Sequence, residues 1–216
     1  KGILQEAMFN YLCLLGWSPG NDLEKFDSEL AVEKFDLKDV LPNSAIFDEK
    51  KLLWLNGLYI RSTNEEDFEK TSINQIEKDL SRTLFIDELN RLTKILHSVQ
   101  ERIETLKDLT PQVLFLLDEP FVVNSEEWDS VNSEEAQSYL ENIREKFKDL
   151  EEFSLENIEL IMREALKELD LKTKIGFQAT RVAITGTKIS PPLFESIYSL
   201  GKEASLARLA ETIEKL

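Results

Sequence analysis

The sequence predicts an all-α fold made of consecutive helical bundles. Apolar residues recur at three- and four-residue steps in nearly every segment, and no stretch shows the strict alternation of a half-buried strand. The composition agrees: 31% of residues are charged, 42% are apolar and only seven are Gly, which suits long solvated helices around real cores. With 216 residues there is room for one large domain or two to three small ones.

The elements follow in order. Leu4, Ala7, Met8, Tyr11, Leu12 and Leu15 form one helical face, which Gly16 and the turn Ser18-Pro19-Gly20 bring to an end. Asp27 or Ser28 caps a short helix through Phe35. Asp48 caps another, whose Leu52 and Leu55 face inward and whose Gly57 stops it. Trp17 and Trp54 are expected as core anchors of this first segment. A polar helix spans Glu65–Leu80. Thr83 then starts the clearest pattern, in which Leu84, Ile86, Leu89, Leu92, Ile95, Leu96, Val99, Ile103 and Leu106 predict one helix to about Lys107. Thr110-Pro111 reads as a cap and first-turn proline for a helix through Leu117.

The stretch DEPFVVNSEEWDSVNSEE (118–135) reads as an irregular acidic connector and the expected domain boundary. Beyond it, Asn132 and Glu135 have capping-box spacing and start a helix to about Leu150. Ser154 caps the next, 174–185 forms another that Gly186 ends, and Ser190-Pro191-Pro192 caps a helix over Leu193–Leu200. A helix over 204–216 closes the chain.

Covalent chemistry finds no foothold. The one histidine, His97, sits mid-helix as a surface or half-buried filler with no second His or Cys to share a metal. The one cysteine, Cys13, lies in an apolar pattern, which rules out internal disulfides and points to a reducing compartment. There is no glycine-rich phosphate loop, and carboxylates sit beside cations as in ELNRLTK, where pairing across a turn is the default. The sequence therefore offers no catalytic and no metal-ligating residue. No run reaches the length of a membrane span, and no signal segment opens the chain. It begins with Lys1 rather than Met, as expected of part of a longer protein.

A net charge of −16 argues against a general coater of DNA. The sign changes locally, however. Residues 118–160 hold fourteen Asp/Glu against three Lys/Arg, whereas 171–208 hold six Lys/Arg against two Glu. The second stretch suits docking of a polyanion, since attraction to phosphate is set near the contact surface. On charge alone a solvated face fits equally well.

Three motifs resemble bacterial and organellar glutamyl-tRNA synthetases in the part that follows their catalytic core. They are QEAMFNYLCLLGWSPGND (5–22) with IFDEKKLLWLNGLYIR (46–61), QERIETLKDL (100–109), and RVAITGTKISPPLFESIYSLGKEASLARL (181–209). Their order and spacing span almost the whole chain. The family's HIGH-type and KMSKS-type signatures are absent, so the resemblance implies a C-terminal portion that recognises transfer RNA and is inactive alone. It implies a stem-contact unit over 1–61 and two anticodon-binding bundles over 62–124 and 125–216.

The resemblance also assigns residues. Arg102 matches an arginine that reads the third anticodon base, and Arg181 one that engages anticodon bases. Ser190, Pro191 and Leu193 match a loop that touches the anticodon through backbone groups and an apolar wedge, and Arg163 matches a further basic contact. Lys107, Lys172, Lys174 and Lys188 are expected to hold phosphates. Implied partners are tRNA(Glu), with tRNA(Gln) left open, and the catalytic domain of the same parent chain, in the cytoplasm. The parent would use ATP and Mg2+, and this portion no cofactor. Each residue also has a plainer alternative: Arg102 paired with Glu101 or Glu104, Arg181 solvated, Pro191-Pro192 only starting a helix. For the whole chain the alternative is a non-enzymatic helical adaptor or scaffold.

Overall fold

Short polar side chains set where the helices begin. Asp27, Asp48, Asn64, Asn124, Ser133 and Ser154 each accept a hydrogen bond from a backbone N–H three residues on, at 2.8–3.3 Å. The structure, a computed structural model, describes residues 2–42 and 46–214. Among these, every regular element is helical. In chain order they are α1 (Gln5–Gly16), α2 (Ser28–Lys34), α3 (Glu49–Ser62), α4 (Glu65–Leu80), α5 (Ile86–Thr93), α6 (Leu96–Gln100) and α7 (Leu109–Val113). There follow α8 (Ser125–Asp129), α9 (Glu134–Asp149), α10 (Leu155–Glu168), α11 (Thr173–Thr185), α12 (Leu193–Leu200) and α13 (Lys202–Glu214). Lys215 and Leu216, the expected end of the last helix, lie outside the described residues.

The chain forms two compact units, one of Lys1–Thr83 with Val99–Pro111, the other of Leu84–Ser98 with Gln112–Leu216. Residues 1–61 fall within the first unit and 125–216 within the second, while the stretch 62–124 contributes to both. In the first unit α1 packs on α3, burying Tyr11 against Leu52 and Leu55. A second cluster sets Trp17 edge-on to Phe26, 5.7 Å apart, over Ala31. Half-buried Cys13 packs against it, and burial pushes its thiol pKa up. Asn56 is fully buried: its Oδ1 accepts from the Leu4 N–H at 2.8 Å, and its Nδ2 donates to the carbonyls of Gly2 and Glu104.

In the second unit α9 packs on α10, α11 and α13, and Tyr139, Leu140, Ile143 and Phe147 supply its buried stripe. Gly176 lets α11 close onto this stripe, because a Cβ there would stand 2.7 Å from Tyr139 and 2.8 Å from Leu166.

Several expectations need correction. The single helix over 83–107 is broken into α5, α6 and a 3-10 turn at Leu106–Asp108. Its apolar residues serve two cores: Leu92 and Ile95 are buried in the second unit, Val99 and Ile103 in the first. Gly57 does not stop α3, which runs on to Ser62; instead the Arg61 guanidinium lies 2.9 Å from where a Cβ would be. Thr110 is no cap, since α7 already starts at Leu109 and the Thr110 hydroxyl donates to Asp79 at 2.6 Å. The connector contains α8, and Ser133, not Asn132, caps α9. Trp17 is a core residue, but Trp54 is 40% exposed.

Gly176→Ala should destabilise the protein by about 1–3 kcal/mol through overpacking. The Tyr139 ring has no simple retreat, because its hydroxyl is bonded to the Met162 carbonyl at 2.9 Å. Urea unfolding followed by circular dichroism reads the loss.

Candidate nucleic-acid interface

Helical spacing aligns Lys174, Phe177, Gln178 and Arg181 on one face of α11. Gly186, with φ +83°, ends the helix in the left-handed conformation that glycine adopts without strain. The chain then turns back toward that face. Half-buried Arg181 meets it, its Nη1 donating to the Pro191 carbonyl at 2.7 Å and to both the hydroxyl and the carbonyl of Ser190. One guanidinium thus fixes the loop that leads into α12. Beside it Phe177 meets Phe194 of α12 edge to face, 5.4 Å apart, and Arg163 of α10 lies over both rings. The second unit therefore brings Arg163, Arg181, Ser190, Pro191 and Leu193 together on neighbouring elements.

Their surroundings differ from what a contact list alone implies. Ser190 and Pro191 are buried, with their oxygens turned to Arg181, and Leu193 is only 5% exposed. The apolar side chain that this loop offers outward is Ile189, 85% exposed. Lys172 and Lys174 are exposed at the start of α11, where no side chain caps the helix and no acid lies in its first turn. The uncapped N–H groups and two cations make this end favourable for an anion. Lys188 is exposed but tied to the acidic connector, through its ammonium to Ser130 at 2.9 Å and through its backbone N–H to the Glu127 carboxylate.

Two other cations of the basic stretch are structural. The Lys202 ammonium donates to the carbonyls of Lys148 and Leu150 near the end of α9. Arg208 donates to the carbonyls of Ile184 and Phe115 and lies 3.9 Å from the centre of the Phe121 ring. Burial, aided by the nearby Arg91 charge, brings its pKa down to about 10.

In the first unit Arg102 and Lys107 are exposed on the turn between α6 and α7. That turn is pinned on both sides. The Gln100 amide donates to the carbonyls of Ile60 and Thr63, both at 2.8 Å, and Ile103 is buried. Asn56 holds the Glu104 carbonyl, Asp108 accepts from the Thr105 N–H, and the Leu106 N–H donates to Gly2. The backbone under Arg102 is thus fixed while its guanidinium stands in solvent. Among the described residues it forms no ion pair with Glu101 or Glu104. Also among the described residues, no group of three His, Cys, Asp or Glu side chains is placed to hold a metal ion, and no helix is long and apolar enough to cross a membrane.

Sequence reasoning passed over Phe177, Phe194, Asn56 and Gln100. The signal for Phe177 was its place one turn before Arg181, a spacing that also describes a core residue. Removing the loop's anchor gives a direct check. Arg181→Ala should free the Ser190-Pro191 segment, cost about 1–3 kcal/mol through lost charge-assisted bonds and open residues 186–191 to limited proteolysis. Arg181→Lys, which lacks the planar fork, should restore little of the protection.

Residues 76–213 match the model of the anticodon binding domain family. The chain is 36% identical to glutamate–tRNA ligase of Clostridium kluyveri, over all of this chain and 44% of that protein. It is 32% identical to glutamate–tRNA ligase 2 of Caldicellulosiruptor saccharolyticus, again over all of this chain and 44% of the relative. The chain thus spans less than half the length of the curated relatives it matches. A crystal structure of a glutamate tRNA ligase from Elizabethkingia meningosepticum superposes with a TM-score of 0.86 over all of this chain and 42% of that one, at 22% identity, and so shares its fold. With the family model covering well over half of its residues, the chain belongs to the anticodon binding domain family.

Proposed function

We propose that this chain is the transfer-RNA-reading part of a glutamate–tRNA ligase and that its ligand is the anticodon loop of tRNA(Glu). The observation that carries the reading is Arg102: an exposed guanidinium on a turn pinned by Gln100, Ile103 and Asn56. Unpaired anticodon bases are read by side chains that stack on them or bond to their edges, and a planar fork on a rigid base suits both. Arg102 takes the third anticodon base. Arg181 acts with the Ser190-Pro191-Leu193 loop and Arg163 in the second unit. Lys107, Lys172, Lys174 and Lys188 hold phosphates.

The remainder of the ligase carries the ATP- and Mg2+-dependent attachment of glutamate, and the working compartment is the cytoplasm. The acidic residues elsewhere oppose docking of RNA on the wrong face. tRNA(Gln), the other ligand of this class, enters the test as a competitor.

A helical adaptor is the rival reading, favoured by an apolar groove of about 870 Å³ in the first unit. Ile3, Met8, Phe9, Leu12, Phe47 and Leu52 line it. Filter binding decides between them: selective retention of tRNA(Glu) over random RNA of equal length supports the ligase reading, and equal retention removes it. Arg102→Ala should cost about 1–3 kcal/mol of discrimination at the third anticodon base and change affinity for a third-base-swapped tRNA little. An equal loss for both RNAs would contradict the base-reading role. Lys188→Ala should weaken both RNAs alike and lower the salt slope by about 1.

A further inference from the structure

A phosphate contact asks little of its cation, because a lysine on a solvated stem attracts phosphate from many directions. Arg163 is held far more closely than that. Its Cζ lies 5.8 Å from the ring centres of both Phe177 and Phe194. The rings meet at 86°, so they present differently oriented surfaces to the one guanidinium. One turn earlier on α10, Glu159 pairs with Arg163 Nη2 at 2.6 Å and accepts from its Nε at 2.7 Å. Even so, 52% of the Arg163 side-chain surface faces solvent. The three groups sit on α10, α11 and α12, which pack on one another within the second unit.

We propose that Phe177 and Phe194 seat the Arg163 guanidinium as a stacking surface for an unpaired nucleobase. Arg163 then reads the RNA through the face of a base and not through a phosphate. The proposal rests on the RNA-binding reading above and adds Phe177 and Phe194 as positioning residues that act through Arg163. Guanidinium planes stack on splayed bases, and such stacking tolerates any base because each has a π-face. Restraint by two rings and a carboxylate removes much of the rotamer freedom that ordering a free arginine on binding would cost. Lys174 and Arg181 lie one turn to either side of Phe177 on α11 and keep the neighbourhood positive.

The test uses the full chain and tRNA(Glu) transcripts with 2-aminopurine placed singly along the anticodon loop, since stacking quenches that base. With the wild-type chain, emission at one position should fall on binding. Arg163→Lys keeps the charge but loses the plane. It should abolish that quench and bind about tenfold more weakly, the order expected for one lost base stack, with an unchanged salt slope. Phe177→Leu and Phe194→Leu should behave likewise, while Phe177→Tyr keeps the quench. If a leucine variant loses helical circular dichroism, the Arg163→Lys and Phe177→Tyr results decide alone. Selective binding with an Arg163→Lys chain indistinguishable from wild type would overturn the proposal by itself. A wild-type chain that does not select tRNA(Glu) over random RNA would remove the RNA-binding reading and this proposal together.

Discussion

Backbone groups left over at helix ends and in turns must be satisfied somewhere, and in this protein long polar side chains do it from within. Asn56 joins the main chain at residues 2, 4 and 104; Gln100 closes the end of α3; Arg181 closes the loop before α12; Lys202 closes the end of α9. Many of the helices are short and are joined by irregular segments, and these four junctions depend on such bonds. A buried carbonyl deprived of its partner costs about 1–3 kcal/mol, comparable with a large part of a domain's net stability.

That economy changes what the charge pattern means. Of the six cations between residues 171 and 208, Arg181, Lys202 and Arg208 are bonded to main-chain carbonyls. Lys172, Lys174 and Lys188 remain exposed. A count along the sequence therefore overstates the charge free to meet a polyanion. The more distinctive feature of the region is geometric: cations against aromatic rings, with Arg163 over Phe177 and Phe194 and Lys94 over Tyr198.

Helix type and most helix starts were legible because they depend on local chemistry. Asp27, Asp48 and Ser154 cap where their spacing placed them, and Gly186 stops α11 for the reason its residue type suggests. The misreadings share a cause. The pattern over 83–107 looked like one helix because apolar periodicity does not show which core a residue serves. Gly57 looked like a stop because a close approach by the Arg61 side chain and a helix end both favour glycine. At the candidate site, resemblance picked out Arg102, Arg163, Arg181 and the Ser190-Pro191 loop. What one-dimensional reading could not show is that Arg181 and the loop bond to each other, that Ser190 and Leu193 face inward, and that two phenylalanines flank Arg163.

The polypeptide crosses from one unit to the other after residues 83, 98 and 111, so each unit is assembled from two separate stretches. A nascent chain cannot finish the first core when it has emerged only as far as residue 83. Val99, Ile103 and Leu109 arrive only after the opening stretch of the second unit has passed. The order of synthesis is thus interleaved, and no single cut in the gene would release both units with all of their stretches.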